Sequence, residues 1–238
     1  VERALASWLD PAKSVVVVAG PHDADDVIET VEAIYEDCRS SAARSDAPRP
    51  PNAPNRRRRN IRVPGPYRHV LAQWHLPLLP ASDAAGIDGL AFYLGEPSTG
   101  PLGRALIPEV AMGVAVRHRH HPLGADLELL MTLAPTAKTS EALSLVRRVL
   151  QTLVDAPPNA FARARAALRN RAFDQLSRVE EAAGLAASAV IDGQRLTDFV
   201  GRIEGLTQLT AENIQTITTN YLLRQKPVII VGRPRGSK

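Results

Sequence analysis

The feature that most constrains this chain is that its two ends say nearly the same thing. SWLDPAKSVVVVAGP stands near the start and NYLLRQKPVIIVGRP near the finish. Laid side by side at a constant offset of 213 residues, Trp8 falls on Tyr221, Leu9 on Leu222 and Lys13 on Lys226. Val15 to Val18 then fall on Val228, Ile229, Ile230 and Val231, and Pro21 falls on Pro234. Upstream, Val1 falls on Ile214 and Ala4 on Ile217, the inward spacing of a helix that leads into each strand. A fixed period defines the structural unit. It predicts the tail of one unit followed by one whole unit, and so a piece of something longer. Two unrelated buried strands, each preceded by a helix, would fit the same short match.

With 238 residues, 45% hydrophobic and 23% charged, the chain has the make-up of an ordinary globular protein of one large domain or two small ones. No run reaches the ~18 apolar residues of a membrane span. The single cysteine, Cys38, excludes an internal disulfide and a Cys-based zinc site. With Asp37 and Arg39 beside it and no assignable histidine, it reads as a spectator thiol. The net charge of +4 raises the question of nucleic acid, and its strongest local source is Arg56 to Arg59. Pro48, Pro50, Pro51 and Pro54 keep that stretch from forming a helix. It also lacks the interleaved aromatics of a nucleic-acid surface. A solvated linker without a nucleic-acid partner is the expected role. A basic adaptor for nucleic acid or an acidic surface is the competing class, and it would lose binding steeply with salt.

Ser14 to Ala19 reads as a β-branched strand buried on both faces. Asp23 can cap the helix that follows, which is expected to run to about Cys38 with Val27, Ile28, Val31 and Ile34 inward. After the Pro- and Arg-rich stretch of 40–60, Val70, Ala72, Trp74 and Leu76 alternate with the period of a strand. A helix is predicted from Ala81 to Leu94 and a short one from Gly100 to Ile107. VAMGVAVRHRH predicts a strand with Val110, Met112, Val114 and Val116 on one face. LELLMTL is its expected antiparallel partner across HHPLGAD. Ala142, Leu145, Val146, Val149 and Leu153 form a helical stripe. Pro157-Pro158 ends it, and further helices follow until Thr210 caps the last one ahead of the closing strand at Val228. The plan is α+β, with no βαβ rhythm to support a doubly wound fold.

This order of elements resembles the pitrilysin/insulinase family of zinc peptidases, which includes the mitochondrial processing peptidase subunits. The residues that carry the resemblance are VVVVAGPHDADDVIETVEAIY, a Pro-rich connection, a strand ending in Pro, a helix ending in Leu-Gly, a Gly-rich turn and the GVAV strand. It implies an antiparallel or mixed sheet covered by helices, as in the mitochondrial processing peptidase-like metallohydrolase fold. It also implies two homologous halves of about 200 residues each, matching the long repeat offset. On this view 1–39 is the tail of a preceding repeat, 40–60 a linker and 61–238 a non-catalytic repeat.

The family's chemistry rests on His-x-x-Glu-His, two imidazoles one helical turn apart on zinc with a glutamate that polarises water. Neither HxxEH nor HExxH occurs in this chain. Aligned on Gly95, the five motif positions read Gly86, Ile87, Asp88, Gly89 and Leu90. The resemblance further implies an Arg and a Tyr seven residues apart that hold substrate in the non-catalytic half; the matching positions are Glu109 and Val116. No catalytic, cofactor-binding or metal residue is therefore assigned to this segment, and zinc is expected only in a catalytic half.

His118 and His120 share one face of a strand with His121 on the other, a weak metal pattern. Arg117 and Arg119 alternate with them, so a solvated strand end is the expected role. His69 and His75 are expected to be exposed, His22 follows Pro21 in a loop with no visible partner, and Glu180 and Glu181 are expected to be surface carboxylates. The function so implied is the non-catalytic half of a zinc metallopeptidase. It would form the substrate chamber for a peptide and support a catalytic half upstream or in a partner chain. The alternative is a structural subunit of the same fold without proteolysis, comparable to core subunits of respiratory complexes. The implied setting is a soluble bacterial protein of the periplasm or cytoplasm.

Overall fold

The structure is a computed structural model, and it describes residues 14–36, 58–96, 100–121, 123–157 and 159–234. In chain order the elements are α1 (Ala24–Tyr35), β1 (Arg58–Val63), β2 (His69–Leu76), α2 (Ala81–Gly95), α3 (Pro101–Leu106), β3 (Ala111–His121) and β4 (Gly124–Leu133). Then come α4 (Thr139–Val154), α5 (Ala162–Ser177), α6 (Val179–Ile191), α7 (Leu196–Thr207), α8 (Ala211–Ile217), a widened π turn (Thr218–Leu223) and β5 (Val228–Pro234). The five strands form one sheet in the order β1-β5-β2-β4-β3. β1 runs parallel to β5, and every other neighbouring pair is antiparallel. The fold is α+β with a mixed sheet, as the pattern of elements predicts.

Alternation builds the core. Val70, Ala72, Trp74 and Leu76 of β2 and Leu127, Leu129, Met131 and Leu133 of β4 are all buried. They pack under Ile87, Leu90 and Leu94 of α2 and the inner stripe of α4. Each large side chain removed from water contributes about 1.5–3 kcal/mol. β3 departs from the expected face. Ala111 lies opposite Leu133 and Gly113 opposite Thr132, so Met112 is the extra residue of a bulge and turns outward. Beyond the bulge the row shared by one face is Val114, Val116, His118 and His120.

The closing segment is fixed by side chains that reach back into the core. Thr210 and Asn213 form a reciprocal capping box at the start of α8. Trp74 donates its indole N–H to the Leu222 carbonyl at 3.1 Å. The Tyr221 hydroxyl donates to Asp83 Oδ2 at 2.8 Å. β5 then inserts between β1 and β2. The last residues of the expected linker, Arg58 to Asn60, are strand rather than coil, paired with Ile229, Ile230 and Val231. An edge strand tolerates such charges because one side of it faces water.

The N-terminal stretch that matches β5 in sequence behaves differently. Residues 14–19 form no strand, and Val15, Val16 and Val18 are 40, 50 and 52% exposed. α1 is capped by Asp23, whose carboxylate accepts from the Asp25 and Asp26 N–H groups. It ends at Tyr35 and buries none of its residues. Val27, Ile28 and Val31 only border a shallow groove with Val16 and Val18. The expected buried strand and inward helix face are thus corrected: a strand becomes buried only when a neighbouring strand and a facing layer are present. The helix expected over 1–9, and Cys38, lie outside the described residues. No helix among the described residues is long and apolar enough to cross a membrane.

Candidate functional site

α2 decides whether a peptidase zinc could be held here. A Cβ added at Gly86 would lie 2.0 Å from Ile217 Cδ1, and one added at Gly89 would lie 2.4 Å from Leu209 Cδ1. Ile87 and Leu90 are fully buried. The space into which the first histidine and the glutamate of the motif would project is filled by side chains from α8 and the residues before it. The residues present do not fit the family's zinc, and no hydrolytic step can run through this helix. The positions of the substrate-holding pair are equally unsuited. Glu109 is exposed in the turn before β3, and Val116 packs against Gly95, whose added Cβ would sit 3.1 Å from Val116 Cβ.

The remaining motif position, Asp88, belongs to a polar cluster. α2 and α7 approach closely because Gly205 faces Ala85; a Cβ at Gly205 would lie 2.9 Å from that of Ala85. One turn along each helix, the same approach brings Arg202 to Asp88, with its Nε 3.5 Å from Asp88 Oδ2. From the sheet, His118 Nδ1 pairs with Asp88 Oδ1 at 2.6 Å. The rings of His118 and His120 meet edge-on at 4.2 Å between centroids. The Arg202 guanidinium also lies over the Phe199 ring at 5.4 Å.

The electrostatics follow from this geometry. Burial alone would raise the Asp88 pKa, but the His118 hydrogen bond and the charges of His118, Arg202 and His120 outweigh it and hold it below the ordinary value. Burial, reinforced by His118 and Arg202, pulls His120 down to about 4. His120 is therefore a neutral imidazole at physiological pH. His118 Nε2, His120 Nε2 and Arg202 Nε are buried and find no hydrogen-bond partner among the described residues. A cleft of about 540 Å³ opens beside Asp88 and His118 and is bordered by Arg171, Phe199 and Arg202.

The solvated strand end expected at His118 and His120 is thus corrected. The His118 side chain is only 2% exposed. Arg117 and Arg119 point to the opposite, exposed face; the cation beside the histidines is Arg202, from α7. The legible signal was the row Val114, Val116, His118, His120, whose apolar members point inward. Asp88 and Arg202, 30 and more residues away, carried none. The other histidines stay apart: His75 pairs with Asp126 at 2.6 Å on an exposed surface, and His69 meets the Thr132 hydroxyl at 3.2 Å. Glu181 accepts from Arg178 at 2.9 Å on the surface, as expected of a surface carboxylate.

A five-stranded mixed sheet backed by helices, with apolar side chains filling the motif positions at Gly86 and Gly89, defines a peptidase-like fold without the peptidase centre. The Peptidase M16 inactive domain matches residues 1–168, and the chain belongs to that family. No curated protein matches it. Among solved structures, a protease from Helicobacter pylori superposes with a TM-score of 0.78 at 13% identity, covering 91% of this chain and 54% of that one. An inactive peptidase domain from Bordetella parapertussis gives a TM-score of 0.63 at 22% identity, covering 75% of this chain and 96% of that one. A chain of Complex III2 from Candida albicans gives 0.66 at 13% identity, covering 89% and 52%. These likenesses are of fold. The chain spans about half the length of the Helicobacter protease.

Proposed function

We propose that this chain is the non-catalytic half of a zinc metallopeptidase. It walls the substrate chamber and supports a catalytic half that lies upstream or in a partner chain. An extended peptide is the substrate class, since such a chain can add to a sheet edge. The observation that carries the reading is the sealed α2. Ile217 and Leu209 occupy the space of the metal-binding residues, so this half keeps the architecture without the chemistry. The exposed valines of residues 15–18 support it further, as the closing strand of a unit whose sheet lies elsewhere.

Peptide cleavage tests this reading. The gene product that includes any upstream sequence should cleave an unstructured peptide in a chelator-sensitive way. The 238-residue chain assayed in parallel should not cleave it. Cleavage by this chain alone would overturn the proposal. Failure of the longer product, and of mixtures with candidate partner chains, would favour a structural subunit, a reading supported by the fold shared with the Complex III2 chain.

A further inference from the structure

We propose that Asp88, His118 and His120 form a binding site for a divalent transition-metal ion of the zinc class. The inference is independent of the peptidase reading, because it uses none of the family's motif pairs and stands whether or not a catalytic half exists. Each of the three side chains offers one ligand atom, and these atoms all lie within 4.8 Å of one another. They come from two rigid elements, α2 and β3, rather than from loops. Metal binding exchanges the 2.6 Å hydrogen bond between His118 Nδ1 and Asp88 Oδ1 for ligation and draws the three groups to the ~3.4 Å ligand spacing that 2.0–2.1 Å bonds give in a tetrahedral site.

A second observation points to a ligand on its own. The His118 side chain is 2% exposed, yet its Nε2 has no partner among the described residues, and neither does the buried Nε2 of His120. Buried polar atoms are almost always hydrogen-bonded, so two neighbouring imidazole nitrogens left over mark a place for an electrophile. Two nitrogens and one carboxylate oxygen suit zinc, cobalt or nickel, whereas calcium and magnesium require oxygen shells. Three protein ligands leave a further position for water, and the cleft beside Asp88 and His118 supplies the room.

Arg202 sets the affinity. Its guanidinium stands 3.5 Å from Asp88 Oδ2 and competes with an incoming dication for the same carboxylate. The site is thus held by an internal cation until metal displaces it, and removing that cation should strengthen metal binding. A merely structural ion-pair cluster makes the opposite prediction for this residue, since loss of Arg202 would only weaken it.

The test is a titration of Co²⁺ into the untagged, metal-free 238-residue chain, followed by visible d–d absorption and reversed by Zn²⁺. One equivalent should bind, with bands of low-coordinate cobalt. His118→Ala and His120→Ala should each abolish the bands, and Asp88→Asn should weaken binding about tenfold or more. Arg202→Met should tighten it by a similar factor. His120→Gln, which keeps the shape of the side chain, is the control for folding and should show a native far-UV spectrum without the cobalt bands. No saturable binding by the folded wild type, or bands that survive in both histidine variants, would overturn the proposal. Weaker binding in Arg202→Met would do the same.

Discussion

Val15 to Val18 and Val228 to Val231 are nearly the same peptide with opposite fates. The second is β5, hydrogen-bonded on both sides between β1 and β2, with Val231 only 1% exposed. The first forms no strand and leaves three of its valines at the surface. Local preference is the same in both, so the difference lies in what surrounds them. β5 has two partner strands and a helical layer; among the described residues, Val16 and Val18 border a shallow groove with α1. β-propensity is a statement about fitting a pleated, half-buried surface, and it cannot act where that surface is absent. The comparison explains how an apolar stretch can be written for burial and still stand exposed in this chain.

The largest effect should separate the two stretches directly. Val231→Asp places an unpaired carboxylate in the centre of the sheet and should cost about 4 kcal/mol or more, enough to unfold the chain. Val18→Asp should leave stability within about 0.5 kcal/mol of wild type, as surface changes do. Urea denaturation of the two variants checks this. Equal losses would mean that residues 14–19 are packed after all.

The next effect tests the seal on α2. Gly86→His, which restores the first residue of the motif, should cost about 3 kcal/mol by overpacking against Ile217. Pairing it with Ile217→Ala should recover part of that loss, because the two changes share one space. A thermal-melt comparison of the single and double variants reads the coupling, and strict additivity would remove Ile217 as the obstacle.

The smallest effect concerns the link between the π turn and α2. Tyr221→Phe removes the hydrogen bond to Asp83 and should cost about 1–2 kcal/mol. Burial first, and then the Asp83 hydrogen bond and charge, raise the Tyr221 pKa above its ordinary value of 10.0. The folded state therefore keeps a proton that the unfolded state gives up. Its contribution is complete below about pH 10 and falls as pH rises beyond that. Denaturant stability from pH 8 to 11 should decline less steeply in Tyr221→Phe than in wild type; parallel curves would contradict the assignment.

Much of the fold was legible because it rests on short-range patterns. The period-2 rows of β2 and β4, the stripe of α4, and Thr210 at a helix start each follow from residues within a few positions of one another. β1 was not legible, since Arg58 and Arg59 have no strand pattern and become strand by pairing with β5, about 170 residues away. The Met112 bulge was hidden for a similar reason: it is set by the register against β4. The candidate site was half legible. The sealed motif could be read as missing letters, while Asp88 meets His118 only through the packing of α2 on β3, and Arg202 only through the α2–α7 contact that Gly205 permits. A row of histidines continuing an inward apolar row was the one available clue, and Arg117 and Arg119 obscured it.

Hydrogen–deuterium exchange of the two matching stretches tests the central claim most directly. It is measured on this chain alone and on the gene product that includes any upstream sequence or on the complex with its partner chain. The β5 amides of Val228 to Val231 should exchange slowly in both preparations. The amides of Val15 to Val18 should exchange rapidly in this chain and become protected in the larger assembly, where a preceding unit supplies their sheet. Slow exchange of Val15 to Val18 in this chain alone, or rapid exchange in every preparation, would contradict the account.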